Sequence, residues 1–553
     1  MSKFQDDKPQ KKIEFLLKKE EEDVVKLLSQ KYKVTYADLL SFPVELDALK
    51  ILPEDRARNG EMVVFQATGK RIKIGVKNPE KEETKAIIKR LTDERYVVEQ
   101  YLVSKHSLNH AWEFYKKVPL GQESVSSVHV SNERLSAIQK EINSFTAIKE
   151  KIENAFTQKV SEELEIVLAG SLALEASDIH LEPQEKEIRL RYRIDGVLHD
   201  VTFLPQRVYQ LLLSRIKLIS ELKLNIHEKA QDGRFTIKIG GAGVEVRTST
   251  LPGPYGENVV MRILNPKAIQ ITFEKLGIQS WVVKSLEDEL RRPNGMILTT
   301  GPTGSGKTTA LYAFVRKIST PEYKIITIED PIEYHLAGIE QTQVDPEKGY
   351  DFTNGLRSIL RQDPDVILVG EIRDFDTAET AMHAALTGHL VFSTLHTNSA
   401  SGTIPRLLDL GVKPSIIAPA INVAMAQRLV RKLCADCRVT KKSTVEEKRK
   451  IEKEISGFPR GVPVPDQKSW SIFKAAAGGC SSCNHIGYKG RIGVFEIILI
   501  TDEIERLILK GPTEPDLNSA AHKQGQITMQ QDGLLKVLSG ITDLAEMERV
   551  VGV

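Results

Sequence analysis

The run Gly301-Pro302-Thr303-Gly304-Ser305-Gly306-Lys307-Thr308 stands between an apolar stretch, Met296-Ile297-Leu298-Thr299-Thr300, and a helix-forming one, Thr309-Ala310-Leu311-Tyr312-Ala313-Phe314-Val315. A Gly-x4-Gly-Lys-Thr pattern lets consecutive backbone N–H groups turn inward around a β- and γ-phosphate with no Cβ in the way. Lys307 adds a point charge for those phosphates, and the Thr308 hydroxyl is spaced to ligate Mg²⁺. The helix that follows turns the positive end of its dipole toward the anion. Residues 301–309 therefore predict a nucleotide site on a buried strand, loop and helix.

Further apolar runs at Lys324–Ile328, Val366–Val369 and Leu390–Ser393 are separated by helical segments. Near-continuous hydrophobic strands between helices predict a parallel sheet covered on both faces, placed here in residues 269–553. A chain of 553 residues has room for about three domains. Alternating patterns at Met62–Gln66 and Arg71–Val76, with a helix over Glu83–Leu91, predict a small α/β domain over 1–120. A linker over Gly121–Asn132 and a polar helix follow, filling 121–155. Strand patterns at Glu187–Gly196, Phe235–Ile239 and Val244–Thr248 then predict a mixed β-sheet domain over 156–268.

Composition leaves strongly charged partners unsupported without excluding them. The 77 Lys and Arg against 75 Asp and Glu give a formal charge of +2, so no single-sign field favours nucleic acid or an anionic membrane. No apolar run has the length of a signal peptide or a membrane span, which predicts a soluble cytoplasmic chain.

Two acidic strand ends carry the expected chemistry. Asp365-Val366-Ile367-Leu368-Val369 leads into Gly370-Glu371-Ile372-Arg373-Asp374, and a carboxylate at such a strand end handles Mg²⁺ or the attacking water. Gly370 stands where an Asp is usual, so Glu371 is expected to act on the metal through water. In Ile328-Glu329-Asp330-Pro331-Ile332-Glu333, either Glu329 or Glu333 has the chemistry to polarise water, and spacing does not choose between them. His389 and His396 flank a third strand, and arginines gather at Arg234, Arg247, Arg357 and Arg361. Phosphoryl transfer is catalysed chiefly by placing charge, so an arginine delivered from another domain or subunit has large leverage on rate.

All four cysteines fall in two Cys-x2-Cys pairs, Cys434/Cys437 and Cys480/Cys483. That spacing suits a closed tetrahedral Zn²⁺ site, with redox cysteines or a disulfide as the alternative. A site with no open position is structural, tying off the charged excursion from Thr440 to Lys468.

In their order, SDIHLEP (177–183), RYRIDG (191–196), QDGRF (231–235), VRTSTLPGPYGENVVMRIL (246–264), GPTGSGKTT (301–309), TIEDPIEY (327–334), LRSILRQDPDVILVGEIRD (356–374), TGHLVFSTLHTNSA (387–400) and GRIGVFEI (490–497) resemble the secretion ATPase family of type II secretion and type IV pilus machines. The resemblance covers about residues 165–500 and is best to the pilus-assembly and secretion (PilB/GspE-like) branch. It implies an α/β multidomain fold: an N-terminal α/β docking domain, a PAS-like β-sheet domain, and a RecA-like phosphate-loop ATPase domain with a zinc-binding insertion at about 430–490. It further implies an ATP-hydrolysing, cytoplasmic homohexameric motor using Mg²⁺ and structural Zn²⁺. Such a motor docks on an inner-membrane platform protein and a cytoplasmic partner, is peripheral to the membrane through them, and needs no nucleic acid. By motif match Glu333 corresponds to the proposed general base, Glu371 to the residue handling Mg²⁺ and water, and His396 to the His-box residue. Arg234 and Arg247 match arginines that reach the nucleotide from the second domain, and Arg357, Arg361 and Arg373 match those at domain and subunit contacts. The cysteine pairs favour fibre extension over the retraction or DNA-uptake motors of the same superfamily. Intact Lys307, Glu333 and Glu371 argue against an ATP-binding scaffold without turnover.

Overall fold

Period-two and continuous apolar patterns resolve into three main sheets in a computed structural model. It describes residues 21–552 apart from 33, 41, 43, 50, 69, 94–95, 118–126, 129–141, 143, 156–159, 240–241, 266–270, 441, 467–469 and 471. The chain divides into two compact units, Met1–Glu123 and Ser124–Val553.

In the first unit β1 (Thr35–Tyr36), β2 (Met62–Thr68), β3 (Arg71–Val76) and β4 (Val97–Leu102) form a sheet in the order β1-β4-β3-β2. Ile72, Ile74 and Val76 are buried along β3, matching the alternation in the sequence. A helix over 21–32 is fastened by Glu22, which accepts from Tyr36 Oη and Ser104 Oγ, both at 2.5 Å. Leu16 and Leu17 of the expected amphipathic stretch lie outside the described residues.

The second unit opens with a sheet of β5 (Ser127–Val128), β6 (Asp178–Pro183), β7 (Ile188–Ile194), β8 (Val197–Leu204), β9 (Gln231–Ile239), β10 (Ala242–Leu251) and β11 (Asn258–Leu264). Their order is β5-β9-β10-β11-β6-β7-β8, antiparallel except where β5 joins β9. Alternation sends Phe235, Val246, Ile263, Ile179 and Tyr192 into one core. The helix Phe145–Ala155 buries Ile148 and Ile152 in that same core. Ser127–Val128, read from its polar surroundings as linker, instead supplies an edge strand, and the rest of 121–132 lies outside the described residues.

The third sheet is built from β12 (Gly295–Thr300), β13 (Ile325–Glu329), β14 (Glu340–Gln343), β15 (Val366–Val369), β16 (Leu390–Leu395) and β17 (Ile421–Leu433). A two-stranded pair, β18 (Val439–Thr440) and β19 (Phe473–Lys474), precedes its last strand, β20 (Tyr488–Leu499). The order is β14-β13-β15-β16-β12-β17-β20, with β20 the antiparallel edge. Successive residues alternate between two cores: Met296, Leu298 and Val369 face one, and Ile297, Leu368 and Phe392 the other. A parallel sheet covered on both faces is the expected reading of such runs, and the fold is mixed α/β and multidomain.

Candidate active site

In an open parallel sheet, ligands bind outside the carboxyl ends of the strands. The loop after β12 lies there. Gly301, Gly304 and Gly306 have φ of 148°, 80° and 88°, conformations that side chains with a Cβ resist. A Cβ on Gly301 would stand 2.6 Å from the Gln427 carbonyl, and one on Gly306 2.9 Å from Gln427 Nε2, so the loop is seated on β17. The helix begins at Lys307, two residues earlier than its apolar pattern indicates, because Gly306 caps it in the left-handed conformation. Lys307 Nζ donates to the carbonyls of Gly301 at 2.8 Å and Pro302 at 3.3 Å. Burial lowers its pKa while Glu371 opposes the shift. Among the described residues the buried Ser305 hydroxyl has no protein partner, an orphaned polar atom inside a loop shaped for an anion.

Packing separates the two glutamates that spacing left equivalent. Glu329 is buried and accepts hydrogen bonds from Thr327 Oγ1 at 2.6 Å, Gln341 Nε2 at 3.0 Å and Tyr312 Oη. Its oxygens are occupied. Glu333 is half-buried, and among the described residues its carboxylate makes no hydrogen bond. Burial raises its pKa above the ordinary 4.5, against the pull of Arg247, Arg262 and Lys307. Both line a cavity of about 430 Å³ together with Lys307, Thr308, Glu371, Arg373, His396 and Arg491.

Glu371 Oε2 lies 3.0 Å from His396 Nε2, and Arg373 Nη2 pairs with Oε1. Burial would raise the Glu371 pKa, but these two hydrogen bonds hold it below the usual carboxylate value. His396 thus stands at the cavity on a carboxylate. His389 does not: it precedes β16, about 20 Å away along the strand, with Nδ1 3.0 Å from the Ala384 carbonyl. Arg361 is exposed and folds back on its own helix, donating to the Arg357 carbonyl at 2.9 Å and Ser358 Oγ at 3.1 Å. Neither Arg357 nor Arg361 lines the cavity.

Arg247 reaches the acidic turn, its Nη2 donating to the Ile332 carbonyl at 2.6 Å. Arg234 is exposed and is the cross-strand partner of Arg247. Residue patterns alone missed Arg262, the partner of Arg247 on its other side, and Gln427, which supports the loop from β17. Arg491 was also missed, and its Nε sits 3.9 Å from Asp195 Oδ1. The signal for Arg262 was available in the antiparallel register, which puts it opposite Arg247.

The β17/β20 pairing brings the two cysteine pairs together at its end. All four Sγ atoms lie within 4.8 Å of one another, with Cys434–Cys480, Cys437–Cys483 and Cys480–Cys483 at 3.8 Å. A disulfide needs about 2.0 Å, whereas four thiolates about 2.3 Å from one tetrahedral Zn²⁺ stand about 3.8 Å apart. The backbone N–H groups of Cys480 and Gly487 donate to Cys483 Sγ, each at 3.2 Å, as thiolate ligands require. The donor set fits structural zinc.

A phosphate loop at the carboxyl edge of a parallel sheet, with acidic strand ends beside it, defines a phosphate-loop ATPase. The chain belongs to the type II/IV secretion system protein family, whose model matches residues 153–549. It is 35% identical over 531 residues to the type IV pilus assembly ATPase PilB of Myxococcus xanthus (strain DK1622), covering 96% of this chain and 91% of that protein. It is 44% identical over 384 residues to the type II secretion system protein E of Dickeya dadantii (strain 3937), covering 69% and 74%. Similarity to the first therefore extends beyond residues 165–500, into the N-terminal unit. Among solved structures, the Yersinia pseudotuberculosis ATPase DotB aligns with a TM-score of 0.50 at 20% identity, over 71% of this chain and 94% of that one, a likeness of fold.

Proposed function

We propose that this ATPase powers extension of a pilin-like fibre, in a type IV pilus or type II secretion machine, as a hexamer of this chain docked on a membrane platform. Among the described residues no helix is long and apolar enough to cross a membrane, in keeping with a peripheral motor held at the cytoplasmic face by its partners. One observation carries the catalytic reading: Glu333 faces the phosphate-loop cavity with its carboxylate uncommitted, while Glu329 is tied up by its neighbours. Glu333 is then the base that takes a proton from the attacking water, and its raised pKa brings it closer to working pH. Lys307 holds the phosphates. Thr308 and Glu371 supply the hard oxygen donors Mg²⁺ prefers, Glu371 acting through water and kept ionised by Arg373 and His396. The metal, when bound, neutralises charge on the phosphates.

Arg247 comes from a different sheet than the phosphate loop, yet touches the acidic turn next to Glu333. Arginines delivered this way make turnover conditional on how the two sheets close, which is how a motor links chemistry to movement. The four-cysteine cluster, a mark of the assembly and secretion branch by resemblance, supports extension over retraction. In cells encoding this chain, loss of the gene should abolish fibre extension or secretion, with rescue by the parent and none by Glu333→Gln. Hyper-extended fibres on deletion would show a retraction motor instead.

A further inference from the structure

Five charged side chains form a line across the outward face of the second unit's first sheet. Arg234 on β9, Arg247 on β10, Arg262 on β11, Asp178 on β6 and Arg193 on β7 are successive register partners. Neighbouring strands are about 4.8 Å apart, so the three consecutive arginines span roughly 10 Å. Like charges directly opposite one another destabilise a sheet, so this row is a cost to folding that a use must offset.

The compensation is partial. Asp178 is buried, with Oδ1 3.0 Å from Arg262 Nε, Oδ2 3.4 Å from Arg193 Nε, and a hydrogen bond from Ser177 Oγ at 2.8 Å. Glu245 Oε1 takes Arg247 Nε at 3.3 Å. Two carboxylates thus face four guanidinium groups. The excess charge is directed at the acidic turn: Arg247 touches Ile332, and both Arg247 and Arg262 act on the Glu333 and Tyr334 side chains electrostatically. Among the described residues the Arg262 Nη groups make no hydrogen bond, since Asp178 holds only Nε. A guanidinium gripped at Nε keeps its other donors in a fixed planar fork, the geometry that suits two phosphate oxygens.

We propose that Arg262 is a third arginine placing positive charge on the terminal phosphates of the nucleotide, and that Asp178 is the positioning residue that aims it. This rests on the reading of Arg234 and Arg247 as arginines this sheet delivers to the nucleotide. The bland account of Arg262 is that it merely neutralises buried Asp178, and the two accounts separate in a double variant.

Phosphate release and binding of a fluorescent ATP analogue are measured on the full chain. Arg262→Ala should lower kcat about tenfold or more while leaving nucleotide affinity within about threefold, and Arg262→Lys should recover part of the rate. Asp178→Asn should lower kcat without weakening binding, with partial rescue by Asp178→Glu. In Asp178→Asn/Arg262→Gln both charges are gone, so the thermal midpoint should return toward the parent's while turnover stays slow. Restored turnover in that double variant, or a parental rate in Arg262→Ala, overturns the proposal. Arg247→Ala run alongside isolates the premise: a parental rate there sinks the delivered-arginine reading itself, whereas a slow Arg247→Ala beside a normal Arg262→Ala sinks only the third member.

Discussion

Glu329 and Glu333 are four residues apart, and exchanging each for Gln should produce opposite defects. Glu329 accepts three hydrogen bonds in a buried site, from Tyr312, Thr327 and Gln341. A glutamine there offers one carbonyl and presents an NH₂ group to donors, so at least one of the three loses its acceptor. An unsatisfied buried polar group costs about 1–3 kcal/mol. Taking about 2 kcal/mol, and a Tm change of about 2 °C per kcal/mol for a unit of this size, Glu329→Gln should melt about 4 °C below the parent. Glu333 has no protein hydrogen bond among the described residues, so Glu333→Gln should melt within about 1 °C of the parent. Its cost is catalytic, since loss of a general base slows a reaction by about 10²- to 10⁴-fold. Differential scanning fluorimetry and phosphate release on the two variants test both halves. A Glu333→Gln that hydrolyses ATP at the parental rate, beside a Glu329→Gln that melts normally and is inactive, would reverse the roles and refute the argument from hydrogen-bond satisfaction.

Because burial raises the Glu333 pKa above 4.5 and the base must be deprotonated, kcat should fall as pH drops through that raised value. A parental acid limb at or below 4.5 would contradict this, as would an unchanged limb in whatever activity Glu333→Gln retains. Glu546 joins the helix Leu544–Val550 to β17 through Arg431, with Arg549 on its other side, and although burial raises its pKa these partners bring it down to about 2 from 4.5. A folded-state pKa below the unfolded one gives stability that is full above pH 4.5 and is lost as pH falls toward 2, here about 3 kcal/mol. Urea midpoints at pH 7 and pH 3 should show about 2 kcal/mol of that loss in the parent, since pH 3 lies only partway from 4.5 to 2, and much less of it in Glu546→Gln. Protein purified without chelator should carry about one zinc per chain, and stripping it should speed hydrogen exchange in residues 434–483 with nucleotide binding intact. Protein with no metal but a Cys434–Cys480 disulfide would remove the zinc assignment.

The features that could be read directly were those that depend on neighbours in sequence. Ile297 and Leu298 announce a strand buried on both sides, and Gly301, Gly304 and Gly306 announce a phosphate loop because each needs a positive φ. The cysteine pairs were legible for the same reason, each pair closing on itself before the sheet joins the two. What the chain did not disclose depends on distant partners. Glu329 is distinguished from Glu333 by Tyr312 and Gln341, which come from a helix and a strand on either side of it. Arg262 becomes visible only once the register pairs it with Arg247, and Gln427 only once β17 lies beside the loop. His389 and His396 bracket one strand and looked alike, yet strand direction puts only His396 at the cavity.

The measurement that bears most directly on the account is steady-state phosphate release from ATP and Mg²⁺ by the full chain, with Lys307→Ala assayed beside it. Lys307 is the ammonium of the phosphate loop and lines the cavity shared with Glu333 and Glu371. The parent should turn over ATP, and Lys307→Ala should be inactive while melting at the parental temperature. Equal rates in parent and variant, or a parent that binds ATP and releases no phosphate, would contradict the assignment of this cavity as the site of hydrolysis.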